Sequence, residues 1–202
     1  MWAMSVSGSD LVTPVLLMAM PQVLDPFFHR SVVLLLHHED EGSFGFVVNR
    51  PTGIKVSEIL KGMEVGWAGR EEAVAYFGGP VQPQLGTVLF APLLPEGGPE
   101  DTATEVAPGI ALTQHVGDLS RLAESPPDEF RLILGYAGWG EGQLMEEILR
   151  NDWLTAPVSS ELIFAADPEQ VWDAALRSIG IDPAALPSWL PGSGPGSEDS
   201  AN

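Results

Sequence analysis

The chain has 202 residues, a length that fits one domain, and 45% of them are hydrophobic, enough for a substantial core. Its 28 acidic residues against 9 basic ones give a formal net charge of -19, and it contains no cysteine. Disulfides, thiolate catalysis, iron–sulfur clusters and cysteine zinc sites are thereby excluded, and the charge opposes both a phosphate backbone and an anionic membrane surface.

Residues 1–13 are a weakly patterned leader. The apolar run 11–20 has no basic residue before it, is interrupted by Pro14 and is too short to span a bilayer. It therefore reads neither as a signal peptide nor as a membrane span, and the expected location is cytoplasmic. Within it, residues 15–20 end at Pro21 and predict a buried strand. Residues 25–30 (DPFFHR) predict a turn with a short helical or bent segment.

The clearest element follows. Residues 31–37 and 44–49 are two β-rich runs joined by Glu39-Asp40-Glu41-Gly42, and they predict a hairpin buried on both faces or nearly so. Pro51 cannot donate to a ladder and is expected to end the second strand. Residues 56–63 predict a short helix capped by Ser57, residues 73–77 a strand, Gly78-Gly79-Pro80 a sharp turn and residues 86–91 another strand. Residues 92–109 are rich in Pro, Gly and acid and predict a long surface loop. A strand over 110–113 and a short helix over 118–123 come next.

Residues 130–136 form another apolar strand signal, leading through Ala137-Gly138-Trp139-Gly140-Glu141-Gly142 into a helix over 143–151. Leu144/Ile148 and Met145/Leu149 are spaced i,i+4 and predict its buried stripe. Residues 161–165 read as a late strand. Asp167-Pro168-Glu169-Gln170 opens a last helix with an acidic cap and an early proline, and Gly180 closes it. With no internal repeat or linker, these signals indicate a single α+β domain over residues 1–190. Residues 191–202 form a Gly/Pro/Ser-rich acidic tail that is expected to be disordered.

His37-His38 beside Glu39-Asp40-Glu41 has the composition of a metal site, but neighbouring strand residues point to opposite faces, and the ligand spacing of zinc sites is missing. A structural or solvated role is the reading adopted, with no metal and no cofactor expected. The glycines of residues 138–142 lie between strand and helix, where anion-binding loops occur, but lack the lysine of a P-loop, and Glu141 would stand where a phosphate should. A tight turn accounts for them. No Gly-x-Ser-x-Gly elbow is present, so no catalytic residues are assigned. Glu141, Glu146, Glu147 and Asp152 read as a solvated face of one helix, and Tyr136, Trp139 and Trp153 read as core aromatics.

Taken together, several segments resemble the bacterial YqgE/AlgH family. They are Leu17-Met18-Ala19-Met20-Pro21, Asp25-Pro26-Phe27, Arg30-Ser31-Val32-Val33 and His38, then the run from Gly42 to Pro51 and Gly78-Gly79-Pro80-Val81. Gly135-Tyr136-Ala137-Gly138-Trp139-Gly140, Gly142-Gln143-Leu144, Asn151, Trp153-Leu154 and the helix bearing Trp172, Ala175, Leu176 and Gly180 complete the pattern in the right order over residues 15–190. The resemblance implies a compact α+β fold with a branched, partly barrel-like mixed sheet flanked by helices. It implies no activity: the family is often labelled a transcriptional regulator, yet has no recognisable DNA-binding motif and brings no established catalytic residues. Leu36 stands where relatives often carry cysteine, His37 and Met145 where many carry glutamate, so a redox role has no support in this chain.

The motifs single out a candidate pocket set: Asp25, Arg30, His38, Asn49, Tyr136, Trp139 and Gln143. Asp25 and Arg30 could equally form an internal ion pair, and Asn49 could cap the turn before Pro51. The leading expectation is a non-enzymatic module, either regulatory or binding a protein or small-molecule partner. The alternative is an enzyme with Asp25, His38 and Gln143 around one cleft. The nine basic residues are scattered, so direct nucleic-acid binding ranks last.

Overall fold

A computed structural model describes residues 11–91, 102–165 and 167–187. In chain order its elements are β1 (Val15–Ala19), β2 (Val32–Glu39), β3 (Gly42–Val47), β4 (Pro51–Lys55), α1 (Val56–Gly62), β5 (Val74–Phe77), β6 (Val81–Ala91), β7 (Thr104–Ala107) and β8 (Ile110–Thr113). Then follow α2 (Val116–Glu124), β9 (Glu129–Trp139), α3 (Gln143–Leu149), β10 (Trp153–Ala156), α4 (Ser160–Ile163) and α5 (Val171–Ser178). The main path of the sheet runs β10-β1-β2-β3-β9-β6-β8-β7, and β4 and β5 form a branch from β9. All pairings are antiparallel except β5 with β9. The result is a single α+β domain with a curled, branched sheet and helices packed around it, as the family resemblance implies.

The branch is built on glycine. Strand β9 pairs with β5 at Ile133 and Leu134, then with β3 from Ala137 to Trp139, so two strands share one of its edges in succession. The change of partner falls where Gly78-Gly79 crosses Gly135-Tyr136. The Gly78 N–H donates to the Leu134 carbonyl, and the Val47 N–H donates to the Gly78 carbonyl, each at 2.8 Å. A Cβ on Gly79 would stand 2.1 Å from the carbonyl carbon of Tyr136, and one on Gly78 2.3 Å from the Gly135 oxygen. Gly135 itself adopts φ +70°, a conformation that favours glycine. No larger residue fits this crossing.

Three apolar clusters surround the sheet. One face of β1, β2 and β3 packs with α4 and α5 around Leu16, Leu34, Phe46 and Trp172. The opposite face packs against α3 and the 21–28 segment around Leu35, Val47, Trp139 and Trp153. The third cluster lies beneath α1 and α2, around Leu60, Phe90, Leu122 and Leu132.

The β2–β3 hairpin, β5, β8, α1, α2 and the Gly180-closed last helix stand where the sequence places them, with Asp167 capping the 3-10 turn Pro168–Gln170 that leads into α5. Asp167 Oδ1 accepts from the Glu169 N–H at 3.1 Å, and Gly180 takes φ +80°. Other elements differ. Residues 161–165 are not a strand: α4 occupies Ser160–Ile163, with the Ser159 hydroxyl accepting from the Leu162 N–H. A five-residue apolar run has no periodicity to separate helix from strand, and here the cap decides. Pro51 does not end the second strand: β3 stops earlier, at Val47, and Pro51 opens β4, which pairs with β5. Helix α1 begins after Lys55 with no side-chain cap, so Ser57, inside the helix, does not cap it. Only half of the α3 stripe is buried: Leu144 is enclosed, while Leu149 is 69% exposed. Strand β10, residues 81–85 of β6 and residues 129 and 137–139 of β9 go beyond the prediction. Of the expected 92–109 loop, residues 104–107 form β7, and the rest up to 101, like the expected tail 191–202, lies outside the described residues.

The crossing makes a sharp prediction. Gly79→Ala should leave no folded protein or cost more than about 4 kcal/mol by chemical denaturation, since overpacked, strained sites form the severe tail of substitutions. Gly62→Ala, at the end of α1 with open space around a Cβ, should change stability by less than about 1 kcal/mol.

Candidate functional site

The curl of the sheet leaves a cavity of about 620 Å³ at the hairpin end of β2 and β3, where β6 comes round to face them. His37 on β2, Phe44 and Phe46 on β3, Val81 and Leu85 on β6, and Tyr136 on β9 line it, with Gln114 at the end of β8. Alternation places His37, Phe44 and Phe46 on one face of the hairpin, because His37 is registered with Phe44 and an irregularity at Leu36 resets the phase. Phe44 packs edge to face with Phe46 and Tyr136, 6.2 Å from each, and lies tilted against His37 at 5.9 Å. Phe44 stays 38% exposed, a large aromatic left open to solvent. Gln114 is held by a 2.9 Å bond from its Nε2 to Thr87 Oγ1. The arrangement can enclose an apolar or aromatic group and offer it hydrogen bonds at the rim from His37, Tyr136 and Gln114.

Of the seven residues singled out by sequence, Tyr136 and Trp139 lie on this wall. The other five fall in separate places. His38 faces away from His37, with Nδ1 2.7 Å from Ser43 Oγ. Asp25 is spent locally, its Oδ1 accepting from the Phe27 N–H at 2.8 Å. Arg30 does not pair with Asp25: its guanidinium reaches Asp173 at 2.6 Å and lies over the Trp172 ring, 4.5 Å from its centroid. Asn49 caps no turn before Pro51. It is buried and bridges the start of β2, accepting from the Val32 N–H at 2.8 Å and donating to the Arg30 carbonyl at 3.0 Å.

Gln143 belongs to a network centred on Glu147, a residue the sequence placed on a solvated face. Glu147 accepts from the indole N–H groups of Trp139 and Trp153 at 2.9 and 2.8 Å on one oxygen, and from Gln143 Nε2 at 2.9 Å on the other. Gln143 Oε1 in turn accepts from the Gly140 N–H at 3.0 Å. The two indoles meet edge to face at 5.7 Å. Thus Glu147 ties α3 to β9 and β10, and fixes Trp139 behind the cavity. Residues missed at the sequence level are Phe44, Phe46, Val81, Leu85, Gln114 and Glu147. None of them carried a local signal of a site, and the fold alone joins them. Among the described residues no cluster of three metal-ligating side chains occurs, and no helix is long and apolar enough to cross a membrane.

Comparison with known proteins places this geometry in a family. The AlgH-like family DUF179 matches residues 16–184. A UPF0301 protein of Myxococcus xanthus is 41% identical over 180 residues, covering 87% of this chain and 94% of that protein. One from Hahella chejuensis is 41% identical over 167 residues, covering 82% and 88%. Among solved structures, the AlgH protein of Pseudomonas aeruginosa superposes with a TM-score of 0.70 at 32% identity, over 89% of this chain and 94% of that one. A Corynebacterium diphtheriae protein shares the fold with a TM-score of 0.70 at 23% identity, over 85% and 89%.

Glu147→Ala should cost about 2–4 kcal/mol, because two buried indole donors lose a charged acceptor. Tryptophan emission should shift to the red in the same variant. Glu146→Ala, one position away and exposed, should cost less than about 0.5 kcal/mol.

Proposed function

The chain belongs to the AlgH-like family, and from that premise we propose that it is a cytoplasmic, non-enzymatic binding module holding a small, largely apolar molecule in the cavity between β2, β3, β6 and β9. The observation that carries this reading is an aromatic-lined cavity of about 620 Å³ with Phe44 exposed at its mouth. Such a volume suits a small-molecule ligand, and a folded protein gains nothing by leaving a phenyl ring open beside a hollow. Occupancy would restrain the β2–β3 hairpin and alter the surface offered to a protein partner, which is how a binding module becomes regulatory. Direct binding to nucleic acid is disfavoured by the net charge of -19.

One geometry favours an enzymatic alternative. Ser43 Oγ lies 2.7 Å from His38 Nδ1 on the hairpin face opposite His37 and Phe44, while the Ser43 residue borders the edge of the cavity. A serine within reach of an imidazole is the start of a nucleophile–base pair. Stoichiometric fluorophosphonate labelling that disappears in Ser43→Ala would establish that reading, and an unlabelled protein would remove it. Asp25 and Gln143, the other members of the expected cleft, are committed elsewhere.

A thermal-shift panel of neutral aromatic and aliphatic metabolites tests the binding reading. At least one compound should raise Tm saturably, and Tyr136→Ala should weaken it by roughly tenfold or more, the equivalent of about 1.4 kcal/mol for a buried anchor. Leu149→Ala, exposed on α3 away from the cavity, should leave the affinity unchanged. No stabilising compound, or equal binding by the Tyr136 variant, contradicts the proposal.

A further inference from the structure

A second hollow, independent of the first, holds an unpaired charge. Arg131 on β9 is 4% exposed, yet among the described residues no carboxylate pairs with it. Its guanidinium lies over the Tyr76 ring at 3.9 Å, and Nη2 donates to the Ala165 carbonyl at 2.7 Å. Nε and Nη1 are buried without a hydrogen-bond partner. Burial pushes the arginine below its ordinary pKa, and the Tyr76 side chain, which also hydrogen-bonds the guanidinium, acts in the opposite direction. An arginine stays protonated under such a shift, so the site carries a buried cation. A buried charge that lacks its counter-ion costs several kcal/mol, which makes this position expensive unless something completes it.

Arg131 forms part of the wall of a cavity of about 380 Å³. Pro51, Tyr76, Phe130, Phe164 and Pro168 supply most of the apolar part of a wall that is otherwise polar. Its charged rim is exposed: Arg70, Glu72 and Asp128 all stand open to solvent. The polarity is therefore graded, with a cation that lacks a carboxylate partner inside, and two carboxylates and Arg70 outside. A polyanion such as a nucleotide would meet Glu72 and Asp128 on the way in, only partly offset by Arg70, and be disfavoured. A monoanion with an apolar body meets far less opposition, and a planar carboxylate matches the guanidinium fork.

We propose that this cavity is a binding site for a small monocarboxylate with an apolar or aromatic body, with Arg131 as the residue that recognises its carboxylate. Tyr76 and Phe164 would flank the body, while the Ala165 carbonyl holds the guanidinium in place. The site joins β9 to the segment after α4, so an occupant would also stiffen that junction.

The test uses the full chain with nitrogen-15-labelled arginine, following side-chain Nε–H signals by NMR while benzoate or inorganic phosphate is added at constant ionic strength. The Arg131 signal, assigned by its loss in Arg131→Lys, should move saturably with benzoate, and phosphate should require roughly tenfold higher concentration for the same effect. Benzoate should raise Tm for the wild type, and Arg131→Met should lose that shift. If Arg131→Met does not fold, Arg131→Lys replaces it: charge without the planar fork should bind roughly tenfold more weakly. An Arg131 signal unmoved by benzoate overturns the proposal, as does a methionine variant that responds like the wild type. A preference for phosphate over benzoate overturns the assignment to carboxylates.

Discussion

Everything in this fold hangs on a backbone crossing that only glycine permits. Where Gly78-Gly79 passes Gly135-Tyr136, main chains approach to distances that leave no room for a Cβ. That approach lets β9 exchange β5 for β3 along one edge, which a planar sheet cannot do. It divides the sheet into two packed regions, one around Leu34 and Phe46, the other beneath α1 and α2. The aromatic cavity follows from the same geometry. Strand β6 leaves the crossing at Val81, close to Tyr136, and thereby closes the side of the hollow opposite the hairpin. The register of β6 on β9 is interrupted between Val81 and Gly86, through Gln82 at φ +47° and Pro83, which bends the strand around that space.

The polar residues of the family pattern then divide by task. Asn49 and Arg30 secure the entrance to β2: the amide fixes the turn before Val32, and the guanidinium ties that turn to α5 through Asp173 and Trp172. Glu147, Gln143, Trp139 and Trp153 lock α3 onto the other face. Buried polar groups in both places satisfy one another, as buried polar groups generally do. Arg131 departs from that rule, and Ser31 Oγ and Arg50 Nε join it on a smaller scale. A charge left incomplete inside a well-satisfied protein is a more informative signal than a polar residue in a motif.

Much of the fold was legible in the sequence because its cues are local. The β2–β3 hairpin, the glycine turn at 78–80, the Asp167 cap and the Gly180 stop each need only neighbouring residues. Residues 161–165 were misread because a short apolar run looks alike in helix and strand, and Ser159 tipped the balance. Strand β10 is a four-residue edge that exists only because β1 offers a partner. The cavity was hardest to see. His37, Phe44, Val81, Gln114 and Tyr136 come from distant parts of the chain, and curvature, which no local pattern records, brings them together. Glu147 shows the same limit in reverse: its charge suggested solvent, but its acceptors are matched to two indoles.

Native-state hydrogen exchange measures the crossing directly. The Gly78 and Val47 amides donate into it, to Leu134 and to Gly78 itself. If the crossing holds the two halves of the sheet together, both amides should exchange only through global unfolding, with the full free energy of the protein. The edge strands β7 and β10 should open at lower cost. Gly78 and Val47 exchanging earlier than those edges would contradict the account, because the crossing would then be an ornament on a sheet held by something else.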